Sequence, residues 1–119
     1  MGLDIYFEKR KIKSNEKPVE VAYFRKVNFL VGYFDYEENC SYKTISKSEI
    51  VELLDRCQEV LDNHLSASEL LPVQEGFFFG SYDYDKWYFE DVREVQKTFT
   101  KLLEEINFNE EELLMYCWW

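Results

Sequence analysis

The chain has 119 residues, a formal net charge of -10 from 14 Lys+Arg and 24 Asp+Glu, and 46% apolar residues that include 3 Trp, 9 Tyr and 10 Phe. That apolar content can offset the entropy of ordering the chain, which excludes a disordered acidic tail and predicts one domain over residues 1–119. With 4 Gly, 2 Pro and no apolar run near the roughly 18 residues of a membrane span, neither a turn-rich sandwich nor a membrane partner is expected.

Leu3–Glu8 is rich in aromatic and β-branched residues and reads as a first strand, followed by a polar, basic loop over Lys9–Pro18. From Val19 to Phe34, Tyr23, Val27, Leu30, Val31 and Phe34 recur at three-to-four spacing, which predicts a helix ended by Gly32 and the Asp35–Asn39 stretch. Ser41–Ile45 is short and β-prone, either an edge strand or a lead-in to the next helix. Ser46 with Glu49 forms a capping-box spacing, and Ile50, Leu53, Leu54, Cys57, Val60 and Leu61 then mark one apolar helical stripe.

Ser66 and Glu69 repeat the capping spacing before Leu70-Leu71-Pro72 and predict a single helical turn stopped by proline. Gly76–Ser81 sets three phenylalanines in a row, the pattern of a strand covered on both faces, and is expected to be the central strand. Asp83 or Asp85 then caps a long helix with the stripe Tyr88, Val92, Val95, Phe99, Leu102, Leu103 and Ile106. Asn107-Phe108-Asn109 breaks it, Glu110–Glu112 suggests a brief helical turn, and Leu113–Trp119 is apolar enough to be a closing strand. Irregular connections and short strands favour an α+β domain, a small mixed sheet with three main helices, over a doubly wound parallel sheet.

Charge is unevenly placed. Residues 1–30 carry +3 and the remaining 89 carry -13. The acidic part repels nucleic acid, so general nucleic-acid binding is disfavoured. A solvated surface explains both charge blocks, and an acidic surface also suits the basic groove of a partner protein.

Catalytic and metal signatures fail on inspection. Asp83, Asp85 and Glu94 sit at calcium-loop spacing, but Trp87 and Tyr88 stand where an oxygen ligand and a glycine are required. No phosphate loop surrounds Gly76 and Gly80, and Cys40 and His64 lack any flanking nucleophile signature. Cys40, Cys57 and Cys117 have no C-x-x-C spacing, so free thiols are expected, and no catalytic residue, metal ligand or cofactor is assigned. No secretory pattern opens the sequence and Tyr6 replaces the Ser or Thr of a myristoylation motif, so an intracellular, cytoplasmic protein is expected.

Two constellations could bind a partner. Arg25 and Asn28 lie one turn apart on the predicted first helix and could present a guanidinium beside an amide. Tyr82, Asp83, Tyr84, Asp85 and Trp87 form an aromatic and acidic patch at the junction before the long helix, the composition that partner surfaces favour. Internal bonding and core packing explain the same residues. Convergence of both segments on one exposed concavity would favour a ligand, and separate burial would make them scaffold.

These segments also carry a resemblance. Met1–Tyr6, Glu20–Asn28, and Leu70-Leu71-Pro72 followed by Gly76–Ser81, Tyr84-Asp85 and Trp87–Asp91 together resemble a family of small proteins encoded by bacteriophages and prophages. The resemblance implies a mobile-element origin and supplies no activity, cofactor or catalytic residue. The leading expectation is a non-enzymatic interaction protein that binds a host or phage macromolecule, a protein partner, in the bacterial cytoplasm and blunts a host defence. The alternatives are a small-ligand domain or unfamiliar enzyme using Arg25, Asn28 and the Ser81–Trp87 junction, and a self-assembling structural component.

Overall fold

Side chains alternate across a strand, and in the first strand, β1 (Asp4–Lys11), that alternation buries Ile5 and Phe7 while turning Asp4, Tyr6 and Glu8 to the opposite face. A computed structural model describes residues 2–76 and 80–119. β1 pairs antiparallel with β2 (Val19–Arg25) on one side and with β4 (Glu111–Trp118) on the other; β3 (Tyr42–Ile45) pairs with β4. The sheet order is β2-β1-β4-β3, so β3 is indeed an edge strand and the chain-terminal segment lies in the sheet interior.

Helices occupy one face. α1 (Phe29–Tyr33) is a short turn, α2 (Lys47–Asp62) and α4 (Lys86–Glu105) are the long helices packed on each other, and α3 (Ala67–Leu70) is the expected single turn. Phe7 sits at the centre of the interface between sheet and helices. Its ring meets Phe99 edge-on at 4.9 Å, with Phe24 at 6.0 Å and Phe34 at 5.9 Å, a geometry in which each ring pair adds about 0.5–1.5 kcal/mol beyond area burial. Ile50, Leu53, Cys57 and Val60 of α2 and Val92, Val95 and Phe99 of α4 complete one hydrophobic cluster.

The architecture is α+β; among the described residues all three strand pairings are antiparallel rather than mixed, and two helices are long rather than three. The predicted Val19–Phe34 helix is the element that changes. Val19–Arg25 is strand β2, in which Phe24 is buried opposite Ile5 while Tyr23 and Arg25 face away, a period of two. Lys26 then takes a left-handed backbone, φ 58°, which no helix interior allows, and its N–H bonds to Leu3 O at 2.8 Å. The long-range ladder to β1 thus outweighs a helical spacing that five apolar residues met by coincidence.

Smaller differences have similar causes. β1 continues through Lys11 into the expected loop, and Glu111 and Glu112 begin β4 instead of a helical turn, because Lys9 and Arg10 pair with them at 3.4 and 2.7 Å. Ser46 and Glu49 form the capping box, and Asp85 caps α4 through Trp87 N and Tyr88 N, both 3.1 Å from Oδ1. Ser66 does not cap α3; its hydroxyl donates to Asn63 O at 2.7 Å. Of the predicted central strand, Phe77–Phe79 lie outside the described residues, and Gly76, Gly80 and Ser81 carry no regular structure.

Candidate functional site

Arg25 ends β2 and Asn28 stands at the N-cap position of α1 with no side-chain cap bond, so the two residues are not on one helix as the sequence spacing suggested. The turn between them faces the loop leading into α4. Gly80, with φ +95°, makes that approach possible: a Cβ there would stand 3.0 Å from Lys26 Cβ. Arg25, Asn28, Asp83, Asp85 and Trp87 consequently line one cleft of about 170 Å³, together with Lys26, Tyr88 and Asp91. Tyr82 and Tyr84 turn elsewhere. The Tyr82 hydroxyl donates to Gly76 O at 3.0 Å, and Tyr84 accepts from Val73 N at 3.1 Å while its ring stands edge-on to Tyr88.

Asn28, Arg25 and Asp85 of this cleft are engaged internally. Asn28, 4% exposed, donates through Nδ2 to Ser81 O at 2.9 Å and accepts from Gln74 N at 3.1 Å. Arg25 Nη1 pairs with Asp4 at 2.8 Å, and Asp85 is committed to its helix cap. Trp87, 65% exposed, carries Lys86 Nζ 4.7 Å over its ring. Asp91 is the one carboxyl here that the sequence patterning missed. Burial, reinforced by Asp85, Glu90 and Glu94, pushes it up to about 6. At about 170 Å³ the cleft is well below the roughly 300 Å³ at which small-molecule pockets begin, so it serves better as a stitched junction than as a ligand chamber. A wider concavity of about 560 Å³ is bordered by Asp35, Glu37, Gln74, Glu75 and Trp119 and presents acidic side chains without a histidine or cysteine.

A second surface is built by the pairing register. On the sheet face away from the helices, Tyr23, Tyr6, Tyr116 and Tyr42 fall on directly paired positions of β2, β1, β4 and β3. Their ring centroids are 5.1, 6.3 and 5.1 Å apart, so the four tyrosines form one row across the whole sheet. Tyr23 and Tyr42 are 44% and 54% exposed, and Trp118, paired with Asp4, is 57% exposed on the same face. Leu114 is buried on this face and stands outside the main core cluster.

Carboxylates frame the row. Tyr23 donates its hydroxyl to Asp4, and Tyr42 donates to Glu8 at 2.9 Å; each bond holds its phenol above the ordinary tyrosine range, and burial adds to it. Arg25 and Arg10 are already paired with Asp4 and Glu112. Glu20 is the backbone partner of Glu8 across β2 and β1, just past a register shift at Phe7 and Glu8.

Sequence reasoning did not single out Tyr6, Tyr42, Tyr116 or Trp118, and it placed Tyr23 in a core stripe. The usable signal was the period of two in Asp4-Tyr6-Glu8-Arg10 against Ile5 and Phe7, which separates a polar aromatic face from an apolar one.

Among the described residues, no group of three His, Cys, Asp or Glu side chains is placed to hold a metal ion, and no helix is long and apolar enough to cross a membrane. Comparison with protein-family models, with curated proteins and with solved structures finds no match.

Proposed function

We propose that this chain is a non-enzymatic interaction protein that binds a protein partner through the tyrosine face of its sheet. The single observation that carries the reading is the unbroken row of Tyr23, Tyr6, Tyr116 and Tyr42, left open while the opposite face is packed under helices. Aromatic side chains with a polar tip supply large contact area at small entropic cost and are enriched where proteins meet. The Arg25 cleft is too small to compete as the principal site, and its Asn28, Arg25 and Asp85 are bonded internally. The resemblance to phage and prophage proteins extends the reading to a partner in the bacterial cytoplasm and to interference with a host defence.

A photo-crosslinking residue placed at Tyr42 or Tyr23, compared with one at the α4 position Lys97, tests this in host cells. The expected result is a discrete protein adduct from the sheet positions and none from Lys97. Equal crosslinking from all three positions, or turnover of a small molecule by the purified protein, overturns it.

A further inference from the structure

We infer that the tyrosine face takes a cationic occupant, a Lys- or Arg-rich segment of the partner protein; this rests on the reading of that face as the binding surface. The face has the chemistry of a cation site in three respects. The row offers ring faces of tyrosine, whose negative quadrupole attracts guanidinium and ammonium groups. Two of those phenols donate their protons to carboxylates, which draws electron density toward the rings and leaves the hydroxyls unable to donate to an anion. The carboxylates also outnumber the cations: Asp4, Glu8, Glu20 and Glu112 stand against Arg10 and Arg25, and both arginines are spent on Asp4 and Glu112.

Among the described residues of this face, Glu8, which accepts from Tyr42, and Glu20, its backbone partner on β2, have no arginine or lysine paired with them. A guanidinium drawn to these two carboxylates could rest its plane on the neighbouring ring of Tyr6 or Tyr23. The net charge of -10 steers a basic segment toward the molecule from a distance and repels a polyanion. Opposing this, residues 1–30, which supply β1 and β2, carry +3, and Lys11, Lys13 and Lys17 are exposed where those two strands meet their connecting turn. A single-stranded nucleic acid that stacked its bases on the tyrosines could use those lysines, and the experiment therefore includes one.

The full chain is titrated with an octapeptide alternating Arg and Gly, with the Lys analogue, and with an oligothymidylate of equal length, while the ring resonances of Tyr6, Tyr23, Tyr42 and Tyr116 are followed by NMR. The same titrations are run on Tyr6→Leu/Tyr116→Leu, which keeps the net charge and an apolar strand residue, and on Glu8→Gln/Glu20→Gln. The expected result is that the arginine peptide shifts the four tyrosines, that it binds more tightly than the lysine peptide, and that each double variant weakens it by about tenfold.

Equal peptide affinity for the leucine variant would reduce the effect to net charge and overturn the inference. Preferential binding of oligothymidylate would overturn it in favour of a nucleic acid. Crosslinking at Tyr42 to a partner that carries no basic segment and is not displaced by the peptide would overturn the cationic occupant while leaving the sheet face as the binding surface. Absence of any contact at the face would remove both readings.

Discussion

Asn28 Nδ2 donates to the Ser81 carbonyl at 2.9 Å while its Oδ1 accepts from Gln74 N at 3.1 Å, so one buried amide holds both limbs of the loop before α4 against the start of α1. Asn28→Ala leaves a partly buried N–H and a carbonyl without that partner and is expected to cost about 2–4 kcal/mol. Asn28→Asp keeps the acceptor for Gln74 but turns an oxygen toward the Ser81 carbonyl, so it should not rescue. Urea unfolding midpoints of the two variants measure this. A loss under 0.5 kcal/mol for alanine would show that the bridge is dispensable.

Asp91 gives stability a pH dependence of definite sign. Its ordinary value is 3.8 and burial raises it to about 6 in the folded state, so the fold favours the protonated form. Below the unfolded value both states hold the proton and nothing is lost. As pH rises from about 4 through 6 the unfolded chain releases its proton more readily, and the fold loses stability until the loss levels off. Asp91→Asn removes that loss. It should stabilise the protein at pH 7 by about 1 kcal/mol, after allowance for the screening of a half-buried group, with the advantage shrinking toward pH 4. Paired denaturation curves at the two pH values decide the matter, and a variant advantage that grows on acidification contradicts the assignment.

The two long helices should differ in how much a cap contributes. Ser46→Ala removes a hydroxyl that accepts from Glu49 N and leaves the Glu49 carboxylate still bonded to Ser46 N, so about 1 kcal/mol is expected. Asp85→Ala frees both Trp87 N and Tyr88 N at once and should cost somewhat more, up to about 2 kcal/mol. Thermal unfolding of both variants in the same buffer tests the order.

Thiol reactivity should separate the three cysteines. Cys40 is exposed, whereas Cys57 and Cys117 are buried and burial pushes each thiol up to about 12. At pH 8 a chromogenic disulfide reagent should modify one thiol quickly and the other two only on unfolding. Rapid modification of a second thiol in the native protein would contradict the burial of Cys57 on α2 or of Cys117 in β4.

Much of the architecture was written in local chemistry. Ser46 with Glu49, the stripe Ile50–Leu61, a cap at Asp83 or Asp85, which the structure gives to Asp85, and the stripe Tyr88–Ile106 each act within one helix, where spacing in sequence is spacing in space. The closing strand was legible on a different ground, since Leu113–Trp119 is too apolar to be left in water; the strand observed is Glu111–Trp118. β2 was not, because Val19–Phe34 satisfies a helical spacing and only the ladder to β1, with Phe24 against Ile5, selects the strand. The Arg25 and Asn28 pairing fell with that helix, although the turn that replaced it still delivers both residues to the junction with Asp83, Asp85 and Trp87.

By itself the sequence determined an α+β chain with a strong negative charge, two capped helices and an aromatic surplus, because composition, caps and helical periodicity depend on near neighbours. Only the tertiary structure decided where the surplus goes. Tyr6, Tyr23, Tyr42 and Tyr116 come from four separate strands, and register between strands, set by which face the core buries, is what aligns them into one row. Phe24, Phe34 and Phe99 accordingly pack around Phe7 under the helices, whereas these four tyrosines stand on the far side, where Asp4 and Glu8 hold the hydroxyls of Tyr23 and Tyr42.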